Sequence, residues 1–137
     1  MISASQRRNA KKDSSKRFRI LIVDDHPMSR EGLAYLINHQ SDMTVCAEAE
    51  SASQALEAVF KTSPDIVLLD IDLPDKNGLE LIKDVKAIQP ELALLVFSMQ
   101  DESLYKEKAL RAGARGYIVK HEGGENLMRA LREIVAR

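Results

Sequence analysis

Five short apolar runs recur along the chain, and each is followed by a stretch with helical spacing. The runs are "RILIV" at 19–23, "MTVCA" at 43–47, "DIVLL" at 65–69, "LALLVF" at 92–97 and "GYIV" at 116–119. Leu33, Leu36 and Ile37 follow the first run. Ala55, Leu56, Val59 and Phe60 follow the second, opened by a Ser51-x-x-Gln54 capping box. Leu81, Val85 and Ile88 follow the third. Tyr105, Ala109 and Ala112, the weakest set, follow the fourth, and Leu127, Leu131, Ile134 and Val135 the fifth. Apolar residues three and four apart share one helix face, whereas strands of this length need only a short run.

Strand and helix therefore alternate five times. That predicts a parallel sheet with helices on both faces, joined by right-handed crossovers. Runs one, three and four are apolar without alternation, as central strands buried on both faces must be. Run two sets Met43, Val45 and Ala47 against Thr44, Cys46 and Glu48, which suits a half-exposed edge strand. The fold class is α/β: a flavodoxin-like, doubly wound, five-stranded parallel sheet of order 2-1-3-4-5 in three α/β/α layers. Strands one and three then meet at the switch point.

The 137 residues fit one domain, with no internal repeat. No apolar run approaches the roughly 20 residues that cross a bilayer. The N-terminus lacks the apolar core of a secretory signal. A single cysteine, Cys46, forms no internal disulfide and is read as a small packing residue in a reducing cytoplasm. Charge is uneven: Arg7, Arg8, Lys11, Lys12, Lys16 and Arg17 face only Asp13 in residues 1–17, while the net charge of the whole chain is −1. Residues 1–17 read as a disordered basic tail, residues 18–137 as the folded domain.

The residues that end the apolar runs carry the chemistry. Asp24-Asp25-His26-Pro27 follows the first run, Asp70 the third, Ser98 the fourth and Lys120 the fifth. In an open parallel sheet the site lies beyond the carboxyl ends of the strands. Three carboxylates, a hydroxyl and an ammonium are thus expected on one edge, with Asp24, Asp25 and Asp70 crowded together. Such carboxylates repel, and a divalent cation relieves them. A shallow, wet group of this kind suits Mg²⁺, which keeps several waters and completes its shell with phosphate oxygens. A carboxylate nucleophile, a metal and two groups to hold an oxyanion are the parts of phosphoryl transfer. Pro74 and Asn77-Gly78 turn the chain sharply after Asp70. His26, His39 and His121 are scattered, and none is expected to ligate metal.

Taken together, "ILIVDDHP", "DIVLLDIDLPDKNGLELI", "LLVFSMQ" and "ARGYIVKHEGGENLMRAL" resemble the CheY-like receiver domain of two-component response regulators. The "DDHP" opening and a "GYIVK" not followed by Pro are most similar to the NarL/LuxR-type subfamily. The resemblance spans about residues 18–136. It implies that Asp70 accepts a phosphoryl group from a sensor histidine kinase or a phosphotransfer protein. Asp25 would bind Mg²⁺ directly, Asp24 largely through water, Asp70 with its carboxylate and Asp72 with its backbone carbonyl. Ser98 and Lys120 would bind the phosphoryl group, with Tyr117 as the switch aromatic. Asp72 and Gln100 would tune phosphate lifetime. The module would act as a switch rather than a turnover enzyme, pair with itself on phosphorylation, stay off membranes and reach DNA only through an output domain that this chain does not encode. Leu73 stands where Met is common, and His121 where many members have Pro, so the peptide after Lys120 is expected to be trans.

Two rival classes share parts of the pattern. "LLDIDLP" resembles the Asp-x-Asp signature of haloacid-dehalogenase-like phosphatases, but it follows the third run rather than the first and no cap segment accompanies it. A docking domain that never takes phosphate would have lost an acidic residue or the lysine, and all are present. Without their companions, Asp24 and Asp25 would read as a helix cap and a solvated neighbour, since Pro27 suits the first helical position.

Overall fold

The computed structural model describes residues 17–100 and 103–136. The basic tail lies outside them except for Arg17. Five parallel strands form one sheet of order β2-β1-β3-β4-β5. They are β1 Phe18–Val23, β2 Met43–Ala49, β3 Ile66–Leu69, β4 Ala93–Ser98 and β5 Gly116–Val119. The helices are α1 Pro27–Asn38, α2 Ala52–Thr62, α3 Gly78–Ile88, α4 Ser103–Ala112 and α5 Gly124–Val135, with a 3₁₀ turn at Lys120–Glu122. No helix among the described residues is long and apolar enough to cross a membrane.

Successive side chains on a strand point to opposite faces, so each central strand feeds two cores. Leu21, Val23, Val67, Leu69, Leu94 and Val96 pack under α2, α3 and α4 with Ala55, Val59, Leu81, Ile82 and Val85. Ile20, Ile22, Ile66, Leu68 and Leu95 pack under α1 and α5 with Leu33, Ile37, Leu127, Leu131 and Ile134. All of β3 and β4 is buried, as two-sided burial requires. Each buried aliphatic side chain stabilises the fold by about 1.5–3 kcal/mol relative to exposure.

Three helical positions expected in the core are instead exposed: Leu36, Phe60 and Ile88. Leu36 and Phe60 each sit one residue, about 100° of rotation, from a fully buried neighbour, Ile37 and Val59. That rotation turns them off the face that packs on the sheet. Ile88 is the last residue of α3.

The edge strand also departs from strict alternation. Ile20 pairs with Val45 and Leu21 with Ala47, so Cys46 is an unpaired extra residue, a β-bulge. Met43 and Val45 therefore serve the α1/α5 core, and Ala47 and Ala49 the opposite one. A one-residue insertion changes the face of everything after it. Cys46 is half-buried, with Sγ 3.7 Å from the Thr62 hydroxyl.

Candidate functional site

The strand ends gather the charged residues. β1 and β3 are adjacent and in register, with Val23 opposite Leu69. Asp24 and Asp70 thus emerge side by side, 1% and 4% exposed. The Asp70 amide donates to the Val23 carbonyl at 2.9 Å, and the Asp24 amide to the Ala49 carbonyl at 3.0 Å, so both acids stand on a rigid edge. Lys120, just past β5, crosses to them. Its Nζ donates to Asp70 Oδ2 at 2.9 Å, Asp24 Oδ2 at 3.0 Å and Ser29 Oγ at 3.1 Å. The ammonium also stands 6.0 Å above the Phe97 ring.

Burial alone would raise the Asp24 carboxyl and lower the Lys120 ammonium. Hydrogen bonds from Ser29, the His26 amide and Lys120 outweigh burial at Asp24 and hold its carboxyl below the ordinary range. Bonds to Asp70 and Asp24 likewise hold Lys120 above its own. Both groups stay charged at neutral pH.

Asp25 lies beside this pair. Its Oδ1 is buried and accepts no hydrogen bond among the described residues. It comes within 3.0 Å of His26 Nδ1. A buried carboxylate oxygen without a donor is costly unless a cation meets it. Among the described residues, Asp70 Oδ1 accepts only the Asp72 amide, at 3.1 Å. One ammonium thus bridges two of the three clustered carboxylates, and the remaining oxygens suit a hard dication. Asp24, His26 and Asp70 each place one ligand atom within 4.8 Å of the others, a cluster able to hold a metal.

Ser98 is fully buried, and its Oγ accepts the Gln100 amide at 3.2 Å rather than touching the acids. Tyr117 is also buried, and its hydroxyl donates to the Gln100 carbonyl. Burial pushes its phenol above the ordinary range. Gln100 Nε2 reaches across to Asp72 Oδ2 at 3.4 Å, while Asp72 itself is exposed. The peptide after Lys120 is trans.

Three contributors escaped the sequence reading: Ser29, Arg30 and Asp75. Ser29 Oγ donates to Asp24 Oδ2 at 2.7 Å, and Arg30 Nη1 to the Asp24 carbonyl at 2.7 Å. His26, not an aspartate, is the N-cap of α1, and it makes no side-chain cap bond. With Pro27 fixing the helix start, residues 29 and 30 fall on the first turn, which faces back to the acids. Asp75 accepts the Ala52 and Ser53 amides at 2.9 and 3.0 Å, pinning the loop after Asp70 to the N-terminus of α2. Gly78 is no positive-φ turn residue; Asn77 caps α3 through the Leu79 amide at 2.8 Å, and Gly78 lets α3 approach the backbone of Ile71.

An acid pair bridged by a lysine at the switch point of a 2-1-3-4-5 parallel sheet defines the receiver architecture, and the chain belongs to the response regulator receiver domain family, whose model matches residues 20–132. Among its relatives, the nitrate/nitrite response regulator protein NarL of Escherichia coli is 37% identical over 117 residues, 85% of this chain and 54% of the relative. The transcriptional regulatory protein DegU of Brevibacillus brevis is 32% identical over 121 residues, 88% of this chain and 51% of the relative. The chain thus spans about half the length of these relatives. A LuxR-family two-component response regulator from Aurantimonas superposes with a TM-score of 0.85 at 37% identity, covering 88% of this chain and 86% of that one. The response regulator domain of Thermotoga maritima CheB gives 0.81 at 25% identity, covering 88% and 98%.

Proposed function

We propose that this receiver domain takes a phosphoryl group on Asp70 from a sensor histidine kinase or phosphotransfer protein, and that the group shifts the balance between two conformations. The observation that carries the reading is Lys120, whose ammonium spans two almost inaccessible carboxylates at 2.9 and 3.0 Å. An ammonium held there can pass from a carboxylate to a phosphoryl oxygen with a short movement. The Asp70 carboxylate attacks phosphorus; an O–P bond forms as the donor's N–P bond breaks. The leaving imidazole keeps the electron pair and gains a proton.

Asp24, Asp25, Asp70 and the Asp72 carbonyl would hold Mg²⁺, which when bound neutralises charge on the transferring group. Lys120 exchanges its bond to Asp24 for one to the new oxyanion. Ser98 gives up the Gln100 amide and donates to another phosphoryl oxygen. Tyr117 hydrogen-bonds the same Gln100, so its position follows that of Ser98. A phosphoryl group adds almost two negative charges, ample to bias such a two-state element. The bridge from Gln100 to Asp72 crosses the mouth of the site, which supports a role for both in setting phosphate lifetime.

DegU is named a transcriptional regulatory protein and NarL a nitrate/nitrite response regulator, and both are about twice as long. That supports an output on DNA through a further domain; a cytoplasmic location and pairing of phosphorylated copies belong to the same proposal. The domain assists only its own phosphorylation and dephosphorylation and is not a turnover enzyme. Acetyl phosphate with Mg²⁺ tests the site. Intact mass should show one added phosphoryl group on the wild type and none on Asp70→Asn. Equal labelling of both would remove Asp70 from this role.

A further inference from the structure

We propose that Asp75 is a positioning residue: by gripping the N-terminus of α2 it fixes the loop that carries the Asp72 carbonyl, and so sets how tightly the site holds its cation. The proposal rests on the reading of Asp24, Asp25, Asp70 and the Asp72 carbonyl as a Mg²⁺ site and adds a residue that acts on that site through the backbone.

The loop after β3 is irregular and runs from Asp70 to Asn77, the cap of α3. Its two ends are anchored. The Asp70 amide donates to the Val23 carbonyl at 2.9 Å, and the Gly78 amide to the Ile71 carbonyl at 2.8 Å. Between these anchors stands Asp75, which is exposed, so burial does not hold it in place. Its Oδ1 accepts the Ala52 amide at 2.9 Å and its Oδ2 the Ser53 amide at 3.0 Å. Among the described residues, one other hydrogen bond ties residues 72–76 to anything beyond the loop and α3. It runs from Gln100 Nε2 to Asp72 Oδ2 and is longer, at 3.4 Å.

These bonds matter more to the loop than to the helix. α2 has a cap of its own: Ser51 Oγ accepts the Gln54 amide at 3.2 Å, and Gln54 Oε1 accepts the Glu50 amide at 3.0 Å. Asp75 takes the first two amides of α2, which have no partner inside the helix. A carboxylate also suits the positive end of the helix dipole. The two amides in turn hold the Asp75 carboxyl below the ordinary range. The same corner of the chain steadies the other acid-bearing edge, because the Asp24 amide donates to the carbonyl of Ala49, the last residue of β2. Residues 49–53 are thus a common abutment for the loops after β1 and β3. Groups that orient a metal ligand from one shell out change affinity by about 10- to 100-fold. Asp75, close along the chain to Asp72, acts in that way on a carbonyl ligand.

The test compares the wild type with Asp75→Ala and Ser51→Ala. Each variant removes one side chain that caps α2 and leaves both cores intact, but only Asp75→Ala frees the loop. In metal-free protein, solvent exchange of the Asp72 and Leu73 amides, read by NMR, should quicken by roughly fivefold to tenfold in Asp75→Ala, the equivalent of one net hydrogen bond. It should stay at the wild-type rate in Ser51→Ala. The Mg²⁺ midpoint at the amides of residues 70–73 should rise by about tenfold in Asp75→Ala, the low end for orienting groups, and not at all in Ser51→Ala. Saturating Mg²⁺ should restore the wild-type rate of phosphorylation by acetyl phosphate, because Asp70 is anchored independently on Val23. If exchange is unchanged in Asp75→Ala, or quickens equally in Ser51→Ala, Asp75 only caps α2 and the proposal is wrong. It is also wrong if exchange quickens while the Mg²⁺ midpoint stays put, or if saturating Mg²⁺ leaves the rate depressed. A wild type that ignores Mg²⁺ would instead refute the cation-site reading, and with it the role of Asp75 in cation affinity; the exchange rates would still show whether Asp75 fixes the loop.

Discussion

Glycine-to-alanine changes at positions 32 and 78 should move stability in opposite directions. At Gly78 a built Cβ meets Ile71 Cα at 2.6 Å and the carbonyl oxygens of Asp70 and Ile71 at 3.0 Å. Nonbonded carbons rest at about 3.5–4.0 Å, so α3 must retreat by roughly 1 Å. The obstacles are backbone and cannot rotate away. Overpacking of this kind costs about 1–3 kcal/mol, and the upper end applies here. The Gly78 amide bond to the Ile71 carbonyl, 2.8 Å long, lengthens in the same movement and adds about 1 kcal/mol. Together these give a loss of about 4 kcal/mol and a fall in Tm on the order of 15 °C. At Gly32, inside α1, nothing lies within 4 Å of the built Cβ. Alanine there should gain up to about 1 kcal/mol from helix propensity alone. Urea unfolding followed by far-UV circular dichroism measures both, with the slope unchanged if both states keep their compactness. A loss at Gly78→Ala below about 0.5 kcal/mol, the scale of an ordinary surface change, would refute the close-approach argument.

Three further outcomes follow from the site and its surroundings. Lys120→Ala leaves Asp24 and Asp70 buried without their cation, and in chelator it should lose about 3 kcal/mol in urea unfolding, partly restored by added Mg²⁺; equal stability with and without Mg²⁺ would contradict this. Tyr117→Phe keeps the buried ring but strands the Gln100 carbonyl, so it should cost about 1 kcal/mol and shift the Gln100 amide resonance. The third concerns acid stability. The Arg132 guanidinium beside Asp42 holds that carboxyl below its ordinary 3.8. A depressed carboxyl contributes stability above its unfolded value and loses it as pH falls through its folded value. Asp42→Asn should therefore be less stable at neutral pH, by under about 1 kcal/mol because the pair is exposed. The two unfolding curves should converge once pH is well below 3.8; a gap that persists in acid would rule out the ion pair as its cause.

The parallel sheet and the position of the acids were legible because both follow from periodicity, and the half-exposed second run suited the order 2-1-3-4-5. Runs such as "DIVLL" admit only two-sided burial, and the residue after each run must then lie on the carboxyl edge. Local geometry was less legible. The bulge at Cys46 leaves the apolar count of its strand unchanged while reversing the face of Ala47 and Ala49. Leu36 and Phe60 carry the right chemistry at the wrong angle. Among the site residues, Ser29, Arg30 and Asp75 act through single directed hydrogen bonds to backbone or carboxylate. Such bonds leave no period in the sequence. The three histidines are scattered in the sequence, and only the turn into α1 brings His26 Nδ1 beside both carboxylates.

The central claim is that Asp70, among the clustered acids, is the one that becomes phosphorylated. Borohydride reduction of the phosphorylated protein converts an aspartyl phosphate to homoserine, and peptide sequencing by mass spectrometry then locates it. The account predicts homoserine at position 70 alone, dependent on Mg²⁺. Homoserine at 24, 25 or 72, or labelling at 70 that persists in chelator, would contradict it.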